Sequence, residues 1–238
     1  MAIIVVTGTG TEVGKTIVTA AVASLARAQA RSVAVVKPAQ TGVGPDDAGD
    51  VAEVVRLAGE VTGVELGRYP EPLAPATAAR RGGVEPVRVH RVAEVAEKLA
   101  SEHDLVLVEG AGGLLVRLDD TGATLADAAR LLGAPVLLVA PAGLGTLNAT
   151  ALTGEALRAR ELELLGVVIG SWPAAPGLAA RCNLVDLPEA AGAPLLGAVA
   201  EGAGGLAAAE FRARAGGWLA PRLGGWWDAA AFTAANPA

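Results

Sequence analysis

Residues 3–16 read Ile-Ile-Val-Val-Thr-Gly-Thr-Gly-Thr-Glu-Val-Gly-Lys-Thr. The apolar run followed by closely spaced glycines predicts a buried strand, a tight loop and a helix that begins near Gly14. Amide groups in such a loop and at the N-terminus of its helix point toward an anion. Lys15 can then reach the outer phosphates of a nucleotide, and the Thr16 hydroxyl is placed to hold Mg²⁺. The segment therefore predicts a nucleoside triphosphate site.

The loop departs from the ordinary phosphate-loop spacing by one residue. Residues 9–13 separate Gly8 from the Gly-Lys-Thr, whereas the ordinary motif has one residue fewer between its first glycine and the second. The dinucleotide fingerprint is absent, because Val13 stands where that motif has its third glycine. A glycine-rich turn with an exposed lysine is the alternative interpretation. The position of Gly-Lys-Thr at a strand-to-helix junction favours the phosphate loop.

Short apolar runs recur along the chain. They lie at residues 3–6, 33–36, 105–108, 136–139, 166–169 and 195–199. Because they are continuous rather than alternating, they are typical of strands that are covered on both faces. Alanine-rich stretches with helical spacing separate them. The pattern predicts a single doubly wound α/β domain of the P-loop NTPase type, with a mostly parallel sheet flanked by helices.

The ends and the loops of this domain can be placed on the sequence. The domain is expected to span residues 1–223, followed by a C-terminal tail at 224–238 that loses charge and pattern. Such a tail frays by default, and the alternative is that Trp226 and Trp227 dock on the body. Residues 42–49 and 70–75 are interpreted as loops within the domain.

Composition excludes several classes of function. The net charge of −6 gives no sign of the basic face that a nucleic-acid binder needs. Cys182 is the one cysteine of the chain, which excludes an internal disulfide and a cysteine zinc site and suggests a reducing compartment. No basic region precedes an apolar stretch at the N-terminus, and glycines and prolines interrupt the uncharged run at 131–154. We therefore expect a cytoplasmic protein with no nucleic-acid or membrane partner.

Three charged side chains are expected at the edge of the sheet where parallel strands bind ligands. Lys37 ends the second apolar run, and it is either a surface charge or a ligand for phosphate and substrate. Glu109 ends the third run, where P-loop enzymes commonly place a Mg²⁺ ligand, and Gly110-Ala111-Gly112-Gly113 follows it. Asp50 begins a helix at 51–58, either as its N-cap or as a second metal carboxylate. Two neighbouring residues compete for that assignment, Asp46 and Asp47.

Four motifs together resemble the dethiobiotin synthetase family. They are Gly-Thr-Gly-Thr-Glu-Val-Gly-Lys-Thr at 8–16, Lys-Pro-Ala-Gln-Thr-Gly at 37–42, Val-Glu-Gly-Ala-Gly-Gly at 108–113 and Leu-Gly-Thr-Leu-Asn at 144–148. Their order and spacing match the family, whose phosphate loop also carries the extra residue. The resemblance extends to about residue 215.

The resemblance implies a reaction in biotin biosynthesis. With ATP and Mg²⁺, 7,8-diaminononanoate and CO₂ (or bicarbonate) would form a carbamate and then a carbamic–phosphoric anhydride. Ring closure would give dethiobiotin, ADP and phosphate. The resemblance also implies a homodimer.

The same resemblance implies a role for each matching residue. Lys37 and Lys15 would be catalytic, and the metal would be held by Thr16, Asp50 and Glu109. The nucleotide would be bound by Thr11, Glu12, Val13, Gly14, Lys15, Thr16, Asp50, Gly170, Ser171, Ala200, Glu201 and Gly202. The substrate would be bound by Thr41, Glu109, Gly110, Ala111, Gly112, Gly113, Leu144, Gly145, Thr146, Leu147 and Asn148.

Two departures from the family pattern affect the base of the nucleotide. Residues 170–173 read Gly-Ser-Trp-Pro where family members often carry Asn-Asp, and a proline is missing near Ala200. The base preference therefore stays open, and other nucleoside triphosphates remain alternatives to ATP. Trp172 either stacks on a base or packs against the body of the protein.

Two other P-loop functions compete with this interpretation. A related ATP-dependent amidoligase usually carries a glutaminase domain with a nucleophilic cysteine, for which this chain is too short. A partitioning-type ATPase switch carries an additional lysine early in its phosphate loop. Residues 9–11 read Thr-Gly-Thr and contain no lysine.

Overall fold

A computed structural model describes residues 2–238. Its seven strands are β1 (Ala2–Gly8), β2 (Val33–Thr41), β3 (Thr62–Tyr69), β4 (Leu105–Gly113), β5 (Val136–Ala140), β6 (Leu164–Trp172) and β7 (Leu195–Ala200). They form one sheet in the order β3-β2-β4-β1-β5-β6-β7, and the neighbouring strands pair in parallel. The predicted parallel sheet is confirmed.

Helices cover both faces of this sheet. They are α1 (Lys15–Ala28), α2 (Asp50–Ala58), α3 (Pro75–Gly82), α4 (Val89–Glu102), α5 (Leu125–Leu132), α6 (Thr146–Arg158), α7 (Leu178–Ala191), α8 (Ala208–Ala215) and α9 (Ala229–Ala235), with 3₁₀ turns at Ala203–Gly205 and Pro221–Leu223. Two clusters of buried side chains fill the space between sheet and helices, one built around α1 and α7 and the other around α4 and α5. Small alanines in α1, such as Ala20, Ala21 and Ala23, are fully buried and let this helix pack closely on the strands.

β3 is a strand that the apolar runs do not predict. It reads Thr-Gly-Val-Glu-Leu-Gly-Arg-Tyr, so polar residues and glycines interrupt any continuous apolar pattern. It lies at the edge of the sheet and pairs only with β2. Edge strands are less covered than central ones and can therefore be more polar.

The neighbouring strands β2 and β4 separate just where charged residues follow. Their register runs from Val33↔Leu105 to Val36↔Val108, and the next residues are Lys37 and Glu109. Pro38 comes directly after Lys37 and has no N–H to donate to β4, whereas β2 stays paired with β3 as far as Thr41↔Tyr69. The separation creates room at the carboxyl end of the sheet.

The C-terminal segment 224–238 contains helix α9. The Asp228 carboxylate accepts a hydrogen bond from the Ala231 amide at 2.7 Å and caps this helix. Trp227 is buried, and its ring centroid lies 5.3 Å from that of Phe232, which in turn packs edge-on against Trp172 at 5.2 Å. Of the two alternatives for this segment, the structure shows the docked one, through Trp227; Trp226 stays 67% exposed. The domain boundary at residue 223 stays a prediction.

The helices of residues 2–238 can also be compared with membrane-spanning ones. None of them has the length and apolar character that a crossing requires.

Candidate active site

The loop between β1 and α1 has the shape of an anion site. Gly14 immediately precedes α1 in the left-handed conformation, with φ of 94°, which favours glycine. The helix therefore begins at Lys15 with its free amides facing the loop. The Lys15 Nζ folds back and donates a hydrogen bond to the Gly10 carbonyl at 2.8 Å.

Lys15 is buried close to one other cation and two carboxylates. Burial is the main cause that lowers its pKa, to about 8, and the charge of Lys37 lowers it further. Glu109 and Asp50 act in the opposite direction. A phosphate group beside Lys15 would favour its charged form, because opposite charges stabilise each other.

The end of β6 lies directly against this loop. A Cβ on Gly170 would lie 2.0 Å from the Val13 carbonyl oxygen and 3.0 Å from the Gly14 Cα. Contacts this short leave no space for a side chain, so Gly170 determines how closely β6 approaches the loop. Gly170 and Val13 therefore act on the site through the backbone.

Lys37 lies between two carboxylates at the separation of β2 and β4. Its Nζ donates to Glu109 Oε1 at 2.9 Å and to the Gly110 carbonyl at 3.1 Å, and it forms an ion pair with Asp50. Lys37 is 3% exposed and Glu109 is 1% exposed. Burial opposes the charge of Lys37, but Glu109 and Asp50 outweigh it and raise the pKa of Lys37. Lys37 is therefore a charged group inside the protein.

Asp50 is held at this place by the start of α2. Its backbone amide donates to Gln40 Oε1 at 2.8 Å, while Gly49 is the N-cap residue. The N-cap alternative for Asp50 is therefore not observed. Asp47 instead accepts a hydrogen bond from the Gly44 amide in an exposed loop, and Asp46 is exposed there too. Gln40 is a site residue that the sequence did not reveal.

The oxygens around Glu109 fit a Mg²⁺ ion. The Thr16 hydroxyl donates to Glu109 Oε1 at 2.9 Å. Glu109 Oε2 is buried and has no hydrogen-bond partner among residues 2–238. Carboxylate and hydroxyl oxygens are the ligands that Mg²⁺ prefers, and the ion usually keeps several waters and phosphate oxygens. Within the described chain no group of three or more His, Cys, Asp or Glu side chains gathers, so such an ion would depend on a bound phosphate.

A cavity of about 790 Å³ joins the phosphate loop, Lys37 and Asp50 into one site, and the buried Glu109 is not part of its lining. Its charged end contains Lys15, Lys37 and Asp50, with Thr11, Glu12 and Thr16 from the phosphate loop. Its other end is apolar and consists of Pro72, Leu73, Ala74, Pro75 and Val116. The sequence did not reveal this apolar end, because the residues of the loop 70–75 that line the cavity are prolines, a leucine and an alanine, which do not signal chemistry.

The remaining predicted residues divide into four places, of which the loop 144–148 is the last. Thr41, Ala111 and Gly112 lie between the two ends of the cavity, and Gly113 is paired with Gly8 in the sheet. Ser171, Ala200, Glu201 and Gly202 lie at the carboxyl ends of β6 and β7, outside the cavity lining, where the Glu201 amide donates to the Trp172 carbonyl at 2.8 Å.

The loop 144–148 lies apart from the cavity of its own chain. Its residues are not part of the cavity lining, and Leu144 is 95% exposed. Helix α6 begins at Thr146, within this loop. The Asn183 side chain on α7 donates hydrogen bonds to the carbonyls of Ala142 and Gly143, and it thereby holds the segment that leads into this loop.

Known proteins match this chain over most of its length. A family described as an AAA domain matches residues 3–203. The chain is 69% identical over 235 residues to the ATP-dependent dethiobiotin synthetase BioD of Streptomyces avermitilis, covering 99% of each chain. It is 68% identical over 232 residues to the ATP-dependent dethiobiotin synthetase BioD of Streptomyces coelicolor, covering 98% of each chain.

A solved structure is similar in fold. The septum site-determining protein MinD of Pyrococcus horikoshii, complexed with Mg-ADP, has a TM-score of 0.54 over 88% of each chain at 20% identity. At this identity the likeness shows the fold alone. The predicted α/β fold of the P-loop NTPase type is thereby confirmed.

Proposed function

Because this chain belongs to the family of ATP-dependent dethiobiotin synthetases, we propose that the cavity beside its phosphate loop is where the ring closure takes place. The enzyme is an ATP-dependent ligase of biotin biosynthesis. Its substrates would be 7,8-diaminononanoate and CO₂. One observation carries the assignment of the site: buried Lys37 lies between Glu109 and Asp50, at the junction of the phosphate loop and an apolar pocket. The amidoligase and partitioning-switch alternatives are not favoured.

The phosphate loop would hold the triphosphate of ATP. The amides at the start of α1 and the Lys15 ammonium face the place where phosphate oxygens would lie. Thr16, Asp50 and Glu109 would hold Mg²⁺, which when bound neutralises charge on the outer phosphates. Two carboxylates next to a triphosphate would otherwise repel it.

The diamine would lie along the rest of the cavity. Its aliphatic chain fits the apolar end formed by residues such as Pro72, Leu73 and Val116. One amine takes up CO₂ to form a carbamate, and a proton is released. A carbamate oxygen then attacks the γ-phosphorus, and ADP leaves. The second amine attacks the carbonyl carbon of the resulting anhydride, phosphate leaves, and the cyclic urea is closed.

Positioning and charge stabilisation would provide most of the catalysis. Lys37 is near both the phosphate loop and the apolar end, so its ammonium would stabilise negative charge on the carbamate and on the phosphoryl group in transfer. The Thr41 hydroxyl and the amides at 111–112 would orient the carbamate. This chemistry needs no proton shuttle by histidine.

Product analysis tests the function directly. Dethiobiotin measured by mass spectrometry and phosphate release should both require ATP, the diamine and bicarbonate. Omitting the diamine should abolish both signals. Phosphate release that continued at an unchanged rate without the diamine would contradict the proposal and would support an ATPase switch.

Asp50→Asn and Glu109→Gln are each expected to reduce the effect of Mg²⁺ on ATP binding about tenfold. The loss of a group that only orients a metal ligand already costs about tenfold in metal affinity. Each substitution replaces a carboxylate by an amide and leaves the side-chain size nearly unchanged. Calorimetric titration of ATP with and without Mg²⁺ measures the effect. Asp47→Asn is the matched control, since Asp47 lies in an exposed loop. An unchanged Mg²⁺ effect in both site variants would refute the metal assignment.

We also propose that the enzyme is a homodimer that shares its active sites. The loop 144–148 would bind the distant carboxylate of the diamine in the partner subunit, through its amides and the start of α6. Leu144, Gly145 and Asn148 of this loop are exposed, and none of its residues lines the cavity of its own chain. Three further apolar side chains are exposed on the adjoining helices α6 and α7, namely Leu152, Leu178 and Val185. Such a patch is typical of an interface.

Mixing two inactive variants is expected to restore activity. Lys37→Ala removes the catalytic charge, and Asn148→Asp places a repelling carboxylate in the loop. After random subunit exchange, about a quarter of wild-type activity should return, because half of the dimers are mixed and half of their sites are intact. Native mass spectrometry verifies the exchange. If mixed dimers form and activity stays at the level of the separate variants, each loop serves its own subunit.

A further inference from the structure

The loop that follows β7, residues 201–207, crosses the start of the phosphate-loop helix. Gly204 lies against Ile17 in the first turn of α1, close enough that a Cβ would be 2.8 Å from the Ile17 Cδ1. Ile17 itself lines the cavity. At its beginning the loop is joined to the end of β6, because the Glu201 amide donates to the Trp172 carbonyl at 2.8 Å. The loop therefore covers the first turn of α1 from the side of β6 and β7.

The loop 201–207 lies on the side of β1 where the nucleoside of a bound nucleotide would be. Lys37 on β2 and Glu109 on β4 lie on one side of β1, where the reacting phosphate must be. The ends of β6 and β7 lie on the other side of β1 in the strand order. A nucleotide with its outer phosphate toward Lys37 must direct its nucleoside toward those strand ends, where parallel sheets bind ligands.

Arg56 in the last turn of α2 holds the far end of this loop. Its guanidinium donates to the carbonyl oxygens of both Gly204 and Leu206, the latter at 3.2 Å. Two further hydrogen bonds, at 2.7 and 2.6 Å, go to the two carboxylate oxygens of Glu53, one turn earlier. A planar guanidinium that is held by a carboxylate in this way has a fixed orientation. The two loop carbonyls are thus tied to α2.

We propose that Arg56, oriented by Glu53, is a positioning residue for nucleoside binding, which fixes the loop 201–207 over the first turn of α1. The proposal rests on the ATP site proposed above and extends it to a residue outside the cavity. Arg56 does not touch the reacting atoms, so its role concerns the affinity for the nucleotide and not the chemical step. The same helix α2 begins with Asp50, which links the two ends of the nucleotide site through one rigid element.

Calorimetry with two probes tests this role. Mg-ATP engages the phosphate loop and the nucleoside region, whereas Mg-tripolyphosphate engages the phosphate loop alone. Arg56→Ala is expected to weaken ATP binding about tenfold, as for the loss of charge-assisted hydrogen bonds at a partly exposed site. Its affinity for tripolyphosphate should stay within about twofold of wild type, since these bonds do not reach the phosphate loop.

Arg91→Ala is the matched control. Arg91 also pairs with a glutamate three residues away, Glu94, on the exposed face of a helix, and it should leave both affinities unchanged. Unchanged ATP binding by Arg56→Ala would overturn the proposal. If Arg56→Ala weakened the binding of Mg-ATP and of Mg-tripolyphosphate equally, the proposal would be overturned as well, because Arg56 would then act on the phosphate loop.

Steady-state kinetics adds a second measurement. Arg56→Ala should raise KM for ATP about tenfold, with kcat within about twofold of wild type and KM for the diamine unchanged. A fall in kcat at saturating ATP with no change in KM would contradict a positioning role. If wild-type protein made no dethiobiotin, the proposed function would fail, whereas the comparison of ATP with tripolyphosphate would still decide the role of Arg56.

Discussion

Lys37→Ala is expected to lower kcat about 10²–10³-fold, the usual cost of removing one positioned charge from a developing anion. The side chain is buried, and its ammonium pairs with both Glu109 and Asp50. KM for ATP should change much less, because Lys15 and the loop amides hold the triphosphate. Dethiobiotin formation at saturating substrates measures the loss.

Lys98→Ala is a suitable control for this substitution, because Lys98 is an exposed lysine on α4. Circular dichroism at the assay temperature verifies that both variants are folded, since removing Lys37 leaves Glu109 without its cation. The catalytic assignment of Lys37 would be wrong if folded Lys37→Ala retained more than half of the wild-type kcat.

Gly170→Ala is expected to weaken ATP binding about 100-fold, because a displaced phosphate loop would lose about two hydrogen bonds to the phosphates, at about 1.5 kcal/mol each. The added Cβ would lie 2.0 Å from the Val13 carbonyl oxygen and 2.7 Å from Val139 Cγ1. Because β6 is held by its neighbours in the sheet, the phosphate loop is the part that must move. Calorimetric titration with Mg-ATP measures the effect.

Gly177→Ala is the matched control, because a Cβ at Gly177 meets no atom within 4 Å among the described residues. Gly177 lies on the connection from β6 to α7, directly before α7, and has an extended backbone that alanine also adopts. Its ATP affinity should equal that of wild type. An affinity of folded Gly170→Ala within threefold of wild type would show that the loop does not depend on this close approach.

The charged end of the site could be predicted from sequence because its residues follow local patterns. Lys37 and Glu109 are each the first polar residue after an apolar strand, and parallel strands bring their carboxyl ends together. Thr16 and Lys15 belong to a continuous motif. These positions depend on strand direction alone, which the apolar runs already indicate.

The other parts depend on contacts between distant segments. The approach of Gly170 to Val13 follows from the strand order β1-β5-β6, which no local pattern specifies. Gln40 contacts Asp50 only because the loop between them folds back. β3 was not predicted, because its polar residues resemble those of a loop. In the sequence, Arg56 is an ordinary surface arginine that pairs with Glu53 three residues earlier. Its contacts with the loop after β7 depend on the fold.

The separation of β2 and β4 after Val36 and Val108 represents a compromise between stability and activity. If β2 and β4 stayed paired for two or three more residues, the sheet would gain backbone hydrogen bonds and a tighter core. They would also close the space in which Lys37, Glu109 and a substrate meet. Pro38 prevents such an extension chemically, since it lacks the amide hydrogen that pairing would need. Selection for a more stable sheet at this point would therefore act against the enzyme's own reaction.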